Sequence, residues 1–397
     1  MTRLLLVHNA YRSVEPSGEN QVVRQEADGL SDRGHDVVVW GPTSDEISGF
    51  TARQRLALPG RVVWSRTAAR DLARAIADHR PELVHIHNTF PLISGSILGV
   101  LRERGLPAVA TLHNYRLLCA GGSLFRSGRP CHDCLPSSHV PGVRHGCYRD
   151  SRVATAPIAL ANALHRRRWE ELDALVVLSD AQRRVFVEAG FDPRRVVVKP
   201  NFVPEPTDIG QVPPPGDGFV YAGRLAEAKG VLVILAAWEI LAARGIRPQL
   251  TIVGSGPLEA DVQRFAAAHP EVTAIGQVGR TECYAHIRRC RGVLAPSTWE
   301  ETFGLAVVEG MMLERPAIAA AFGSFPELIV DGVDGLLVEP RDPGALADAV
   351  TTLHECPETA CRLGAAARLT YERRFRPTPN LDRLESIYDG VLRRTRA

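Results

Sequence analysis

The strand-like run Phe219–Ala222 leads into GRLAEAKG, which sets Arg224 and Lys229 near the start of the next helical pattern. A fork-shaped cation, a point charge and free backbone amides are what a diphosphate requires. The competing reading is a solvated basic pair in a strand-to-helix loop. After the following strand comes TIVGSGPLEADV. There Gly254, Ser255 and Gly256 allow close backbone approach, and Pro257 suits a first helical turn. A GSG turn alone is more often plain architecture than a site. The third stretch, PSTWEETFGLAVVEG, places Glu301 and Glu309 around a loop and a helix start. Gly304 would bring backbone amides to a ligand at that helix N-terminus. Glu309 lies in an otherwise apolar segment and needs a partner, for which ribose hydroxyls are suitable donors. An N-cap acid and a half-buried salt bridge are the alternative.

The N-terminal half offers a different set. ATLHNYRLLC places His113 at the end of a strand-like run, and HIHN, His85–Asn88, ends a neighbouring one. His87 and Asn88 are candidates for holding a second substrate, with His85 facing the sheet. Directly after His113, Cys119, Cys131, Cys134 and Cys147 form C-x11-C-x2-C-x12-C in a loop rich in Gly and Pro. That spacing fits a tetrahedral thiolate zinc site, a clip for a loop with few large apolar residues. Four reduced cysteines are the alternative, and His132, His139 or His145 could replace a ligand. Cys283, Cys290, Cys356 and Cys361 sit in helical patterns as ordinary packing. The run Arg166-Arg167-Arg168-Trp169 fits peripheral contact with an anionic membrane or contact with an anionic acceptor, or equally the wet side of a helix.

These residues are carried by alternating strands and helices. Strands are expected at Leu4–Val7, Asp36–Trp40, Leu83–Ile86, Ala108–Thr111, Ala174–Leu178 and Val196–Lys199, with helices near Gln21–Asp32, Ala68–His79 and Ile158–Glu170. A proline-rich break runs from Asn201 to Gly218. Alternation then restarts, with strands at Phe219–Ala222, Leu250–Val253, Val272–Ile275, Gly292–Ala295 and Ala317–Ala319. Helices are expected at Val231–Ala243, Leu258–Ala268, Glu282–Cys290 and Leu305–Leu313. This is an α/β chain of two Rossmann-like, doubly wound domains, expected to face each other across a cleft at their strand ends. Residues 1–200 form the first domain, with a Cys-rich insertion at 117–150, and residues 201–377 the second. Residues 378–397 carry Leu381, Leu384, Ile387, Tyr388 and Val391 at helical spacing, a helix expected to cross back to the first domain.

Composition narrows the function classes. The 397 residues suffice for two domains, and 45% hydrophobic with 23% charged residues is an ordinary globular balance. A formal net charge of +2 gives no electrostatic case for nucleic acid. The short apolar run at the N-terminus lacks the length of a signal peptide, and no stretch is long enough to span a membrane, so a cytoplasmic protein with reduced cysteines is expected. No GxGxxG opens the first domain, which leaves nicotinamide-dependent oxidoreduction little support.

Together the motifs resemble the family-4 retaining glycosyltransferases of GT-B fold, in a subgroup with a Cys-rich insertion in the N-terminal domain. The resemblance covers essentially the whole chain. It implies that Arg224 and Lys229 neutralise the diphosphate of a nucleoside-diphosphate sugar, with UDP the commonest base. Glu309 then binds the ribose hydroxyls, Glu301 contacts the transferred sugar, and amides around Thr302, Phe303 and Gly304 face sugar or phosphate. Gly254 and Gly256 belong to the nucleotide loop. Ser17-Gly18-Glu19-Asn20 resembles the loop beside the donor phosphates, with Gly18 its single glycine, and His113 matches a histidine that contacts the sugar. The implied reaction keeps the anomeric configuration, the acceptor hydroxyl attacking from the face the phosphate leaves. No catalytic metal is expected, because the cations can do its electrostatic work and no DxD-like triplet lies at a relevant strand end. The acceptor would be a saccharide, a lipid-linked intermediate or a small natural product. Rival readings are an epimerase or phosphorylase of the same fold, and a silent sugar-nucleotide-binding protein.

Overall fold

The computed structural model describes residues 1–13, 17–135, 138–206 and 213–396. Residues 207–212, within the proline-rich break, lie outside the described residues. In chain order the strands are β1 (Arg3–His8), β2 (Asp36–Trp40), β3 (Leu83–Asn88), β4 (Ala108–Thr111), β5 (Phe125–Arg126), β6 (Arg129–Pro130) and β7 (Ala174–Val177). They continue with β8 (Val196–Val198), β9 (Phe219–Ala222), β10 (Leu250–Val253), β11 (Val272–Gly276), β12 (Gly292–Ala295), β13 (Ala317–Ala320) and β14 (Gly335–Val338).

The chain divides into two compact units. The first holds residues 1–124, 131–200 and the stretch from Asn380 onward. Its sheet runs β2-β1-β3-β4-β7-β8, with every pairing parallel. Strands β3 and β4 are buried along their whole length, as aliphatic strands covered on both faces must be. The helix Gly18–Asp32 begins ahead of the expected Gln21, because Ser17 Oγ accepts from the Asn20 amide at 3.2 Å and caps it. The last helix, Pro377–Arg396, buries Leu381, Leu384, Ile387, Tyr388 and Val391. Within the first unit, Arg33 and His35 bind its Glu385 at 2.7 and 2.9 Å.

The second unit holds residues 125–130 and 201–379, so the β5–β6 hairpin of the Cys-rich insertion belongs to it. Its sheet runs β11-β10-β9-β12-β13-β14, again all parallel. Trp238, from the helix Val231–Ala243, is fully buried and donates its ring N–H to Pro248 O at 3.0 Å. Elements additional to the pattern expected from sequence include β5, β6, β14 and the helices Ala52–Val63, Ile97–Glu103, Val140–His145, Asp180–Glu188, Phe325–Leu328, Pro343–Glu355 and Pro357–Arg374. Ala52–Val63 buries none of its residues, so it carries no apolar stripe to read.

Each sheet has one place where neighbouring strands send their connections to opposite sides: between β1 and β3 in the first, and between β9 and β12 in the second. Ligands of doubly wound sheets sit beyond the carboxyl ends of such pairs. No helix among the described residues is long and apolar enough to cross a membrane.

Candidate active site

The carboxyl ends of β9 and β12 bring the charged motifs of the second unit together. Glu301 Oε2 receives three donors: Lys229 Nζ at 2.6 Å, Trp299 Nε1 at 3.1 Å and Ser297 Oγ at 3.2 Å. The Lys229 ammonium also lies over the Trp299 ring, 4.8 Å from its centre. Thr298 ties the two loops, its amide reaching Ala228 O at 2.9 Å and its hydroxyl Glu227 O at 3.1 Å. Gly323, at φ +61°, permits the tight pass beside this group: a Cβ there would lie 2.6 Å from the Glu301 amide nitrogen. Arg224 is solvent-exposed on the same β9 loop.

The GSG loop has a structural demand of its own. A Cβ on Gly254, at φ +138°, would lie 1.9 Å from Gly223 O, and one on Gly256 would lie 2.5 Å from Leu225 O. The close approach these glycines make is to the Arg224 loop, which fixes the two loops against each other. Gly304, in the left-handed region at φ +98°, heads the helix Leu305–Met312. Thr302 and Phe303 are buried, and the Phe303 ring meets Phe375 edge-on at 5.9 Å. Both side chains anchor the loop, so only its amides could face a ligand.

Glu309 lies on that helix, and its partners come from the chain. Tyr284 OH donates to its Oε1 at 3.3 Å, and Arg280 stands 3.9 Å away. Burial raises its pKa, with Arg280 and the Tyr284 hydroxyl pulling it back. Neither residue was singled out from the sequence. Their signal was there, since the amphipathic helix Arg280–Arg289 puts a Tyr and a guanidinium on one face.

In the first unit, His113 follows β4 and His87 ends β3, and their rings meet with His87 Nδ1 3.1 Å from His113 Nε2. Burial pushes His113 down to about 3, so its ring is neutral. The His87 side chain is fully buried beside Glu26, and the residue lines the cavity beside His113. Asn88 donates to Asn9 O at 2.8 Å and accepts from the Phe90 amide at 2.9 Å, and it too lines that cavity. Gly18 is the first residue of the helix capped by Ser17. A cavity of about 80 Å³ opens beside His113, lined among others by Thr89, Arg116, Asn162 and His165. Arg116, which sequence reading passed over, lies across the Phe90 ring at 4.5 Å.

The cysteine quartet converges without closing. Cys134 feels the thiols of Cys119, Cys147 and Cys131, and burial pushes it up to about 11. Among the described residues, the group whose ligand atoms all lie within 4.8 Å of one another is instead Glu26, His85 and His87. That group is close enough to coordinate a metal ion. Lys199 already pairs with Glu26, however, and both nitrogens of His85 are engaged, by Tyr388 OH at 2.6 Å and Thr111 Oγ1 at 2.8 Å. In the Arg166–Trp169 run Arg167 is exposed while its neighbours are engaged. Trp169 is buried, Arg166 stacks on Phe191 at 4.0 Å, and Arg167 pairs with Glu171 at 3.2 Å.

Comparison with known proteins places the chain among glycosyltransferases. Glycosyltransferase Family 4 matches residues 16–205, and the family described as Glycosyl transferases group 1 matches residues 216–356. The chain is a glycosyltransferase, and its N-terminal half is similar to Glycosyltransferase Family 4. Phosphatidyl-myo-inositol mannosyltransferase of Mycolicibacterium smegmatis is 27% identical over 89% of this chain and 84% of its own. D-inositol 3-phosphate glycosyltransferase 1 of Catenulispora acidiphila is 29% identical over 85% of this chain and 77% of its own. The match to O-antigen chain mannosyltransferase C of Escherichia coli is 32% identical but spans 48% of that protein. Among solved structures, the Anabaena protein HepE in complex with UDP-glucose covers 98% of this chain and 100% of its own, at TM-score 0.67 and 16% identity. Sucrose-phosphate synthase from Thermosynechococcus elongatus covers 98% and 99% at TM-score 0.70 and 19% identity. At such identities the likeness shows the fold, and this glycosyltransferase has the GT-B fold.

Proposed function

We propose that this glycosyltransferase moves a sugar, with retention of anomeric configuration, from a UDP-linked donor to a hydroxyl of a saccharide, lipid-linked or natural-product acceptor. The observation that carries the donor side is the meeting of Lys229, Trp299, Ser297 and Glu301 at the β9/β12 strand ends. Arg224 and Lys229 neutralise the diphosphate, Glu301 orients the sugar, and Glu309 takes the ribose hydroxyls. The amides of Thr302, Phe303 and Gly304 face the sugar or phosphates, and Gly254 and Gly256 shape the nucleotide loop. Gly18 and His113 act from the first unit, which holds the acceptor. Relatives named for transfer to inositol lipids and inositol phosphate support a hydroxyl acceptor, and the UDP-glucose held by the Anabaena protein supports the base.

In the reaction, the bond from the anomeric carbon to the phosphate oxygen breaks as the acceptor oxygen bonds the same face. The hydroxyl proton passes to the departing phosphate oxygen. Negative charge grows on the diphosphate, and the two cations answer it where water is excluded. No side-chain nucleophile is required. An NMR assay over a panel of nucleotide sugars and acceptors tests this reading; an inverted product, or turnover that needs no acceptor, overturns it.

We further infer that Cys119, Cys131, Cys134 and Cys147 bind a structural zinc ion, placing the chain in a form of the family that carries a Cys-rich insertion. Convergence of all four thiols on a buried, protonated Cys134 supports it, since a metal would replace those protons and draw the sulfurs together.

A further inference from the structure

Two opposite charges are buried together in the first unit. Glu26, on the helix Gly18–Asp32, and Lys199, after β8, form a direct ion pair in which neither side chain has any exposure. Lys199 occupies Oε1 of Glu26, while Oε2 faces His87 Nε2 at 3.6 Å. Neither Oε2 nor Nε2 has any other hydrogen-bond partner. Two orphaned polar atoms facing each other without exposure are costly unless they satisfy one another.

Proton positions follow in sequence. Burial raises the Glu26 carboxyl, but Lys199 and the neighbouring histidines outweigh it, so Glu26 is ionised. Burial holds His87 neutral, so its ring carries one N–H. A lone pair on Nε2 would be pressed against a carboxylate oxygen, whereas an N–H there is attracted to it. His85 does not compete for the carboxylate, because Tyr388 and Thr111 hold both its nitrogens. His87 Nδ1 is then an acceptor, and His113 Nε2, 3.1 Å away, must donate to it.

We propose that Glu26 and His87 are positioning residues that lock His113 as the Nε2–H tautomer, leaving its lone pair on Nδ1. Any contact of the ring with a substrate hydroxyl is then made as an acceptor. The functional half of this rests on the reading of His113 as a sugar-contacting residue; the tautomer itself does not.

The test uses full-length protein labelled with 15N-histidine, His113 being assigned by the signal lost in His113→Asn. A long-range 15N–1H spectrum of the unaltered protein should show His113 protonated on Nε2. A spectrum showing Nδ1–H overturns the proposal without any variant having to fold. His87→Phe removes the acceptor and should mix the His113 tautomers, lowering kcat about tenfold with little change in donor KM. His87→Gln keeps an acceptor and should recover part of that loss. Equal kcat in His87→Phe and the unaltered protein would sink the positioning role. Unimpaired transfer by His113→Asn would sink the sugar-contact reading, while the tautomer stayed on trial.

Discussion

Lys229 Nζ sits 2.6 Å from Glu301 Oε2, so the cation expected to meet the diphosphate is already joined to the carboxylate expected to meet the sugar. The pair links two loops that leave adjacent strands, β9 and β12. A donor arriving there finds an ammonium pre-aimed by a carboxylate, with Trp299 as a flat wall. Lys229→Met should weaken UDP binding about tenfold or more, since hydrogen bonds to charged groups contribute about 1.5–3 kcal/mol. Calorimetry with UDP measures this. Glu301→Gln should affect UDP far less and transfer far more, and equal losses on both measures would contradict the division of roles.

Gly254 is needed for shape. Alanine there would meet Gly223 O in a left-handed backbone region. Gly254→Ala should destabilise the protein by about 1–3 kcal/mol, read as a lowered denaturant midpoint. Gly245→Ala, whose Cβ has open space despite its own φ of +77°, should cost less.

On the proposed ribose role of Glu309, donor affinity should depend on pH. Its pKa is raised by burial, so protonation begins at a higher pH than for an ordinary carboxylate. Donor KM should rise as pH falls through that raised value, because a protonated carboxyl accepts ribose hydroxyls less well. Removing the cation with Arg280→Met should move the rise to higher pH. A KM profile that does not move would exclude Glu309 from the ribose.

Stability carries a separate pH signature. Glu19 is pushed up to about 8, by burial first, against the opposing pull of the Tyr11 hydroxyl and Arg116. An unfolded glutamate titrates near ~4.3. Across that window the folded state keeps a proton the unfolded chain has released, so stability falls as pH rises. Guanidinium midpoints at about pH 5 and about pH 8 should therefore differ, and Glu19→Gln should flatten the difference.

The cysteine loop should carry close to one zinc per chain, measured by metal analysis of protein purified without chelator. Cys134→Ser should abolish it. Cys283→Ser, outside the quartet, should leave the zinc in place.

The alternation of short aliphatic runs with longer amphipathic ones was enough to read every strand of the two large sheets except β14, whose middle positions are only half-buried. The β9 loop, the GSG turn and the Glu301–Glu309 segment were equally legible, since glycine and charge at a strand end are local signals. Glu26 was half-legible: it falls on the stripe Val22, Val23, Ala27 and Leu30, where an acid needs a reason. Its reason, Lys199, is 173 positions away. Tyr388 likewise reads as one more apolar position of the last helix until His85, 303 positions distant, is seen against its hydroxyl. By itself the sequence determined most of the sheet strands, the helices with a clear apolar stripe and the loops that carry charge, all set by the spacing of neighbours along the chain. Only the tertiary structure decided which charges cancel, which histidine faces which and where the protons lie, because burial and pairing depend on residues far apart in sequence.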